Sequence, residues 1–212
     1  MGLSESLKIE PVTAGDRSAL ADLWLVAFSD SHSRQLFPDT PGVRKWLEGA
    51  IFHDIVDHPF QHYMKIIDPK SKNYNGGPPI VAYAKWDLSL PEERGPRYPP
   101  WHEDMPKELC EAFVARGESN RRRIMGNTKH IFEVLDIVVT HPQYQRRGAA
   151  SMLMKWGCDQ ADIKRVSVYL SASAEGSALY AKFGFIDHGV PGQGAIPMVR
   201  PCPGGTVGFG RS

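Results

Sequence analysis

The stretch "QYQRRGAASMLMKWG", residues 143–157, joins a strand pattern to an amphipathic helix pattern through two arginines and a glycine. It follows "HIFEVLDIVVT" (residues 130–140), an apolar run typical of a strand. The first amides of a helix that begins after Gly148 have no intrahelical acceptor, and the helix dipole adds positive charge there. The small residues after Gly148 leave room for a phosphate oxygen, and Arg146 and Arg147 strengthen the field. The stretch therefore predicts a strand–loop–helix unit that can bind an anion.

Two better-known phosphate motifs are excluded by this loop. A P-loop ends in Gly-Lys-Ser/Thr, which is absent, and a dinucleotide fingerprint needs three glycines where this loop has one. Taken alone, the loop is also compatible with a solvent-facing helix start that carries two surface arginines. The choice between these readings depends on the residues around it.

The surrounding segments predict an α/β chain. Apolar alternation or short apolar runs predict strands at residues 7–13, 62–68, 79–88, 130–140, 166–172, 184–189 and 195–201. Helical spacing predicts helices that begin near Asp16 and at Pro41 and that cover about 106–123, 148–161 and 174–184. No internal repeat or linker divides the chain, so residues 1–212 are expected to form one domain.

The composition argues against several broad classes of protein. The 212 residues are 42% hydrophobic and 23% charged, with a formal net charge of +1. This balance argues against a general nucleic-acid or membrane-surface binder. The chain shows no signal-peptide pattern and no apolar run of transmembrane length, so a cytoplasmic protein is expected. The opening "MGLSES" does fit a myristoylation pattern at Gly2.

Cysteines and a basic run give two further expectations. Cys110, Cys158 and Cys202 match no metal or disulfide spacing and are interpreted as reduced thiols. The basic run at residues 121–123 is interpreted as the solvated end of a charged helix, where cations complement the dipole. A nucleic-acid contact through this run is the alternative.

The order Gln145-x-x-Gly148-x-Ala150 after an apolar strand resembles the pyrophosphate loop of the GNAT superfamily of acyl-CoA N-acyltransferases. Downstream, "YLSASAEGSALYAKFGF" (residues 169–185) is similar to the second half of that signature: strand, small polar residue, helix, then Leu-Tyr-x-Lys-x-Gly-Phe. The close resemblance covers about residues 133–187. It includes "WGCDQAD", which is similar to a helix end common among fungal members.

The chain departs from the family pattern at two positions and in one region. Ala150 stands where many members have a second glycine, and its methyl group still leaves the amides accessible. Ser173 stands where many members have an asparagine, and its hydroxyl can replace part of that hydrogen bonding. Residues 89–128 form a longer insertion than a minimal member needs.

The resemblance implies the GNAT fold, a mixed, mainly antiparallel sheet of six or seven strands flanked by helices. It also implies a splay between the fourth and fifth strands, here residues 130–140 and 166–172, with acetyl-CoA as acyl donor and no metal. The pantetheine would pair with exposed strand backbone as an added strand does, and the pyrophosphate would sit on the helix amides. The cofactor-binding residues expected on this basis are Val138, Val139, Thr140, Gln145, Arg146, Arg147, Gly148, Ala149, Ala150, Ser151 and Ser173.

Tyr180 matches the family tyrosine that lies near the coenzyme sulfur. Its phenol could donate a proton to the thiolate that leaves during acyl transfer. The alternative is a packing tyrosine on the helix face that also carries Ala181 and Phe183.

Asp136 is the candidate base that would accept the proton of the attacking amine. Counting alternate residues along the strand places it on the face of Val138, where the thioester carbonyl would end. Apolar surroundings raise the pKa of a carboxyl group, which suits a base. A structural ion pair or hydrogen bond is the alternative role. Glu133 would point the other way, and His130 at the strand's start is a weaker candidate.

The acceptor pocket is expected near the first two predicted helices and the loop at residues 29–40. Phe28 and Phe37 are the candidate pocket residues, with Trp24 and Trp86 as further aromatic side chains that could line it. Trp24 and Phe28 also lie on the apolar stripe of the first helix, which favours core packing for these two, and Phe37 in the loop is the better pocket candidate. The implied activity is acetyl transfer to a primary amine of a small molecule or peptide, by a monomer or homodimer without nucleic-acid or membrane partners. The alternative is a non-catalytic coenzyme A binding or regulatory protein with the same fold.

Overall fold

The computed structural model describes residues 7–73, 76–77, 79–88, 96–126, 130–190, 192, 194–202 and 204, with the backbone alone at 130–137. Within these ranges the strands are β1 (Lys8–Pro11), β2 (Gln61–Ile67), β3 (Ile80–Asp87), β4 (His130–Thr140), β5 (Ser167–Ala172), β6 (Ile186–Asp187) and β7 (Ile196–Arg200). The α-helices are α1 (Arg17–Ala27), α2 (Ser31–Leu36), α3 (Pro41–Asp57), α4 (Lys107–Met125), α5 (Ala149–Lys164) and α6 (Ala174–Ala181).

The described strands form one sheet in the order β1-β2-β3-β4-β5-β7-β6. Neighbouring strands run antiparallel except β4 and β5, which run parallel. A parallel pair needs a long crossover, and α5 supplies it between the end of β4 and the start of β5. The arrangement confirms the predicted fold class, a mixed, mainly antiparallel sheet flanked by helices.

β4 and β5 are joined over only part of their length. Their ladder runs from His130 opposite Ser167 to Phe132 opposite Tyr169. β4 then continues along β3 to Thr140, while the rest of β5 pairs with β7. In the described residues the two central strands are therefore unpaired with each other beyond Phe132, as the predicted splay requires.

The two faces of the sheet carry separate apolar clusters. One cluster joins α1, α3 and α4 to the sheet and includes Leu20, Val43 and Tyr83. The other joins α5 and α6 to the opposite face and includes Leu153 and Trp86. Because side chains alternate along a strand, Tyr83 and Trp86 of β3 point to opposite faces.

The connection after α1, expected from the sequence to be a loop, contains the short helix α2. The Asp30 carboxylate caps this helix, because it accepts hydrogen bonds from the amides of His32 and Ser33 at 3.0 Å each. An acidic N-cap signal was present in the sequence, but the segment is too short to show helical periodicity.

The expected solvation of residues 121–123 is wrong for Arg121. Its side chain is buried, with the whole residue 7% exposed. Its guanidinium donates to the Glu118 carboxylate at 2.8 and 3.1 Å. The partner lies one turn earlier on α4, so the burial of this charge is compensated locally.

Gly157 marks the closest approach of α5 to the sheet. A Cβ atom at this position would lie 2.1 Å from the Trp86 ring, and Trp86 is fully buried. We expect Gly157→Ala to lower the free energy of unfolding by about 1–3 kcal/mol, because overpacking outweighs the gain in helix propensity. Chemical denaturation measures the change.

Gly49 of α3 provides the matched control, because a Cβ there would meet nothing within 4 Å. Gly49→Ala should raise the free energy of unfolding by about 0.5–1 kcal/mol through helix propensity alone. Equal changes in the two variants would contradict the packing of α5 against Trp86.

Candidate active site

The loop between β4 and α5 contains two residues with positive φ and ends at a helix start without a side-chain cap. Gly148, the N-cap of α5, lies in the left-handed region with φ of 89°, and Arg146 lies there with φ of 60°. Side chains cap the starts of α2, α3 and α6, namely Asp30, Thr40 and Ser173. No described side chain caps α5. The starts of α1 and α4 also have no side-chain cap, and α5 is the one of these three helices that follows the loop with the two arginines. Its first amides are therefore available to an external acceptor.

The connection between β2 and β3 braces this loop. The Tyr144 hydroxyl donates to Asp68 Oδ2 at 3.2 Å and lies 3.3 Å from Ser71 Oγ. The Arg147 guanidinium lies over the Tyr144 ring, 4.9 Å from its centroid. Hydrogen bonds from the Ser71 hydroxyl, the Lys70 amide and Tyr144 lower the pKa of Asp68, and the Arg147 charge lowers it further. The charged Asp68 therefore anchors the short 3-10 turn that leads into the loop.

The residues predicted to bind the cofactor form a continuous path. Val138, Val139 and Thr140 lie opposite β3 on the part of β4 that extends past the ladder with β5. The path then enters the loop, where the side chains of Gln145, Arg146 and Arg147 are exposed. It ends at the first turn of α5, which holds Ala149, Ala150 and Ser151.

Ser173 and Tyr180 lie at the two ends of α6. The Ser173 hydroxyl oxygen accepts a hydrogen bond from the Gly176 amide at 3.1 Å and so caps the helix. Tyr180 is 5% exposed, and its ring centroid is 6.0 Å from that of Phe185. Tyr180 belongs to the same apolar cluster as Ala149 at the start of α5. Its ring is therefore a core element, and the acid role of its hydroxyl stays a prediction.

Asp136 lies in β4, but its side chain is outside the described part of the chain, as are those of Glu133 and His130. The register between β3 and β4 is irregular here, because Val138 lies opposite residue 84 while Glu133 lies opposite residue 86. In a regular ladder residue 86 would face Asp136. The count of alternate residues from Val138 to Asp136 crosses this irregularity and does not establish a shared face. The role of Asp136 as base stays a prediction.

A small aromatic cavity of about 40 Å³ lies between α1, α3 and the sheet. Phe37, which follows α2 and is 4% exposed, contributes to its wall. The Phe37 ring centroid lies 4.8 Å from that of Trp24, 6.3 Å from Trp46 and 6.5 Å from Tyr98. The structure therefore brings Phe37 and Trp24 together in a pocket, at the place where the sequence predicts the acceptor site.

Two other aromatic candidates lie outside this cavity. Phe28 packs on Trp24 with ring centroids 5.0 Å apart, and it is not among the described residues that line the cavity. Trp86 is fully buried beneath α5 on the opposite face of the sheet. The expectation that Trp86 lines the pocket is wrong, because side chains alternate along β3 and its residues Tyr83 and Lys85 face the cavity.

The floor of the cavity carries a buried polar cluster that sequence reasoning missed. The Lys85 ammonium donates to Asp54 Oδ2 at 2.5 Å, and the Tyr63 hydroxyl donates to the same oxygen at 2.7 Å. His58 Nδ1 lies 3.3 Å from Asp54 Oδ1. Burial raises the pKa of Tyr63 well above its usual value, and the Asp54 charge adds to this effect, so the phenol stays a donor. The one available signal was Asp54 itself, a carboxylate at helical spacing from the apolar residue Ala50.

Metal ligands, membrane-spanning helices and cysteines are further features of the described ranges that bear on function. No group of three or more His, Cys, Asp or Glu residues there could hold a metal ion. None of the described helices combines the length and apolarity that crossing a membrane requires. Cys110 and Cys158 are buried free thiols, and Cys202 is a half-buried one.

Known proteins resemble the chain in its domain sequence and in its fold. The acetyltransferase (GNAT) domain family model matches residues 109–187, whereas no curated protein sequence matches the chain. The fold is similar to the histone acetyltransferase HPA2 and related acetyltransferase from Corynebacterium glutamicum, with TM-score 0.57, 20% identity, and 95% of this chain and 99% of that chain covered. It is also similar to the PaiA N-acetyltransferase from Thermoplasma acidophilum in complex with coenzyme A (TM-score 0.55, 9% identity, 92% and 99% covered). A third similar structure is Arabidopsis thaliana NAA60 in complex with acetyl-CoA (TM-score 0.51, 14% identity, 92% and 96% covered). Residues 109–187 thus match the acetyltransferase (GNAT) domain family, and the fold of the chain is that of solved acetyltransferases.

Proposed function

We propose that the chain, as one domain over residues 1–212, is an acetyl-CoA-dependent N-acetyltransferase. The observation that carries this proposal is the uncapped start of α5 beside the part of β4 that β5 leaves unpaired. A ligand with a diphosphate and an amide-containing arm would fit both features. Its diphosphate would accept hydrogen bonds from the helix amides, and its arm would pair with the strand backbone. Coenzyme A has this form, and it or acetyl-CoA is bound in two solved structures of similar fold.

Each predicted residue has a place in this arrangement. The amides that follow Gly148, with Gln145, Arg146 and Arg147 around them, bind the pyrophosphate. The backbone at residues 138–140 pairs with pantetheine and leads the thioester toward the middle of the sheet. Ser173, at the start of α6, contacts the cofactor. Phe37 and Phe28 lie on the side of the site that receives the acceptor amine.

The reaction is a direct transfer between donor and acceptor. The amine nitrogen attacks the thioester carbonyl carbon, the new C–N bond forms, and the C–S bond breaks to release the coenzyme thiolate. The attacking ammonium must lose a proton, and the departing thiolate gains one. Asp136 accepts the first proton, directly or through water, and the Tyr180 hydroxyl donates the second.

A screen of amine acceptors with acetyl-CoA, followed by the release of free coenzyme thiol, tests this function. Amine-dependent thiol release together with an acetylated product is the expected result. A chain that gains thermal stability with acetyl-CoA but releases no thiol with any amine would instead be a non-catalytic coenzyme A binding protein. Loss of both signals would overturn the assignment of the cofactor site.

The variant Asp136→Asn distinguishes a catalytic base from a structural residue. An amide keeps the size of the carboxylate but cannot accept a proton at useful pH. If Asp136 is the base, the variant loses most of its rate at neutral pH. The rate recovers partly at high pH, where the acceptor amine is already deprotonated. The pH profile of kcat/KM measures this, and its acidic limb should weaken.

A structural Asp136 would give a different result. The variant would then melt earlier, with a cost on the order of 3 kcal/mol for a broken buried ion pair, and the acidic limb would remain. Normal stability with a normal pH profile would contradict both roles for Asp136.

A further inference from the structure

The two arginines of the loop between β4 and α5 differ in what holds them. The Arg147 guanidinium lies over the Tyr144 ring, 4.9 Å from the ring centroid. Within the described part of the chain it makes no hydrogen bond and no ion pair, and its side chain is exposed. Arg146 is exposed as well, and none of the described aromatic rings lies under its guanidinium. Arg147 is therefore held against a ring while its N–H groups stay available to a ligand.

Tyr144, which carries this contact, is fixed at several points. It ends the 3-10 turn Pro142–Tyr144, and its amide donates to the His141 carbonyl at 2.8 Å. Its hydroxyl donates to Asp68 Oδ2 at 3.2 Å and lies 3.3 Å from Ser71 Oγ. The His141 ring meets the Tyr144 ring edge-on, with centroids 6.1 Å apart. The ring under Arg147 therefore has a defined position before any ligand binds.

Asp68 anchors the Tyr144 hydroxyl without forming an ion pair with Arg147. Its Oδ1 accepts a hydrogen bond from the Lys70 amide at 3.0 Å, and its Oδ2 accepts one from the Ser71 hydroxyl at 2.8 Å as well as the one from Tyr144. Asp68 is 8% exposed, so these donors surround a nearly buried carboxylate. Because they satisfy Asp68, the Arg147 guanidinium stays free to bind an anion from outside.

The free donors of Arg147 suit a phosphate. A guanidinium is flat, and its parallel N–H groups match the oxygens of a phosphate in a bidentate contact. Arg147 directly precedes Gly148, the N-cap of α5, so it lies beside the amides proposed to bind the diphosphate. A side chain that is ordered before the ligand arrives loses less conformational entropy on binding. The ring contact should therefore strengthen binding without touching the ligand.

We propose that Asp68 and Tyr144 are positioning residues that hold Arg147 in place to bind a phosphate of coenzyme A. Asp68 fixes the Tyr144 hydroxyl, the Tyr144 ring fixes the guanidinium, and the guanidinium donates to phosphate oxygens. The affinity for the coenzyme thus depends on the connection between β2 and β3, a segment outside the loop itself. The inference rests on the proposed coenzyme site, since that site supplies the phosphate.

The test measures the Kd of acetyl-CoA by isothermal titration calorimetry. Tyr144→Phe keeps the ring and removes the hydroxyl, and we expect Kd to rise roughly two- to ten-fold, the equivalent of ordering about one side chain. Arg147→Gln removes the guanidinium itself and should raise Kd by roughly ten-fold or more. Arg146→Gln removes the same charge from an arginine without a ring contact, and its effect should be smaller, about three-fold.

The double variant of Tyr144→Phe and Arg147→Gln separates positioning from a general loss of structure. If Tyr144 acts through Arg147, its substitution has no further effect on Kd once the guanidinium is gone. The KM for acetyl-CoA should follow Kd in every variant. In Tyr144→Phe, kcat at saturating acetyl-CoA should stay at the parental value, because the reacting atoms are untouched.

Tyr63→Phe is the matched control for the lost hydroxyl. The Tyr63 hydroxyl donates to Asp54 Oδ2 at 2.7 Å, so this variant also breaks a bond between a phenol and a carboxylate. Tyr63 belongs to the apolar cluster on the face of the sheet opposite α5. Tyr63→Phe should lower the Tm of the free protein and leave the Kd of acetyl-CoA unchanged.

Titration with 3′-dephospho-coenzyme A identifies which phosphate Arg147 binds. Arg147→Gln that weakens coenzyme A but not the dephospho form assigns Arg147 to the 3′-phosphate of the ribose. Equal weakening of both ligands assigns it to the diphosphate. Either result supports the positioning proposal, because both phosphates belong to the coenzyme.

The other outcomes distinguish this proposal from the proposed function. A parental Kd in Tyr144→Phe, or an equal loss in the presence and absence of Arg147, would overturn the positioning roles and leave the coenzyme site standing. The expected changes in Kd without acetylation of any amine would support the positioning roles and overturn the acetyltransferase assignment. A parent protein that binds no acetyl-CoA would overturn both.

Discussion

Gly148→Glu is expected to abolish the stabilisation that acetyl-CoA gives the protein. Saturating acetyl-CoA should raise Tm by roughly 5–10 °C, because it binds the folded state alone. The variant places a carboxylate where the pyrophosphate is proposed to bind, and at φ of 89° it also strains the start of α5. Differential scanning fluorimetry with and without acetyl-CoA measures the loss.

Two controls separate charge from strain in this experiment. Gly148→Asn puts a small neutral side chain at the same position, and asparagine tolerates the left-handed region, so much of the Tm rise should remain. Gly184→Glu adds the same charge at a glycine with φ of 83° and open space around it, and should keep the full rise. A full rise in a folded Gly148→Glu protein would contradict the pyrophosphate assignment.

Tyr180→Phe is expected to lower turnover by roughly ten- to a thousand-fold, a factor that lies within the range for general acid catalysis or somewhat below it. The ring packs in the core at 5% exposure, so phenylalanine preserves the packing and removes only the hydroxyl. Steady-state kinetics with a responsive amine measures kcat, and the acetyl-CoA-induced rise in Tm should change little.

Tyr169→Phe is the matched control, because Tyr169 is another fully buried tyrosine, placed in the cluster on the opposite face. Turnover of this variant should stay within about two-fold of the parent, since the Tyr169 hydroxyl is not placed to donate a proton to the thiolate. If Tyr180→Phe keeps parental turnover as well, Tyr180 is a packing residue and water supplies the proton.

The sequence allowed the cofactor side of the candidate site to be predicted residue by residue. Gln145, Gly148 and Ala150 lie within six residues of one another, at a loop and helix start whose proposed function depends on backbone amides, so local sequence carries most of the information. The acceptor side could not be predicted in the same way. Asp54, Lys85 and Arg97 come from a helix, a strand and an irregular segment that only the packing of the chain brings together.

By itself, the sequence predicted the seven described strands, five of the six described α-helices and the GNAT-type arrangement, because periodicity and motif spacing are local properties of the chain. Only the tertiary structure decided on which face of the sheet each side chain lies. The irregular register between β3 and β4 means that counting alternate residues does not assign a face to Asp136, and alternation along β3 turns Trp86 toward α5 and Lys85 toward the cavity. Side-chain direction in a sheet depends on pairing with neighbouring strands, and a single irregularity changes every assignment beyond it.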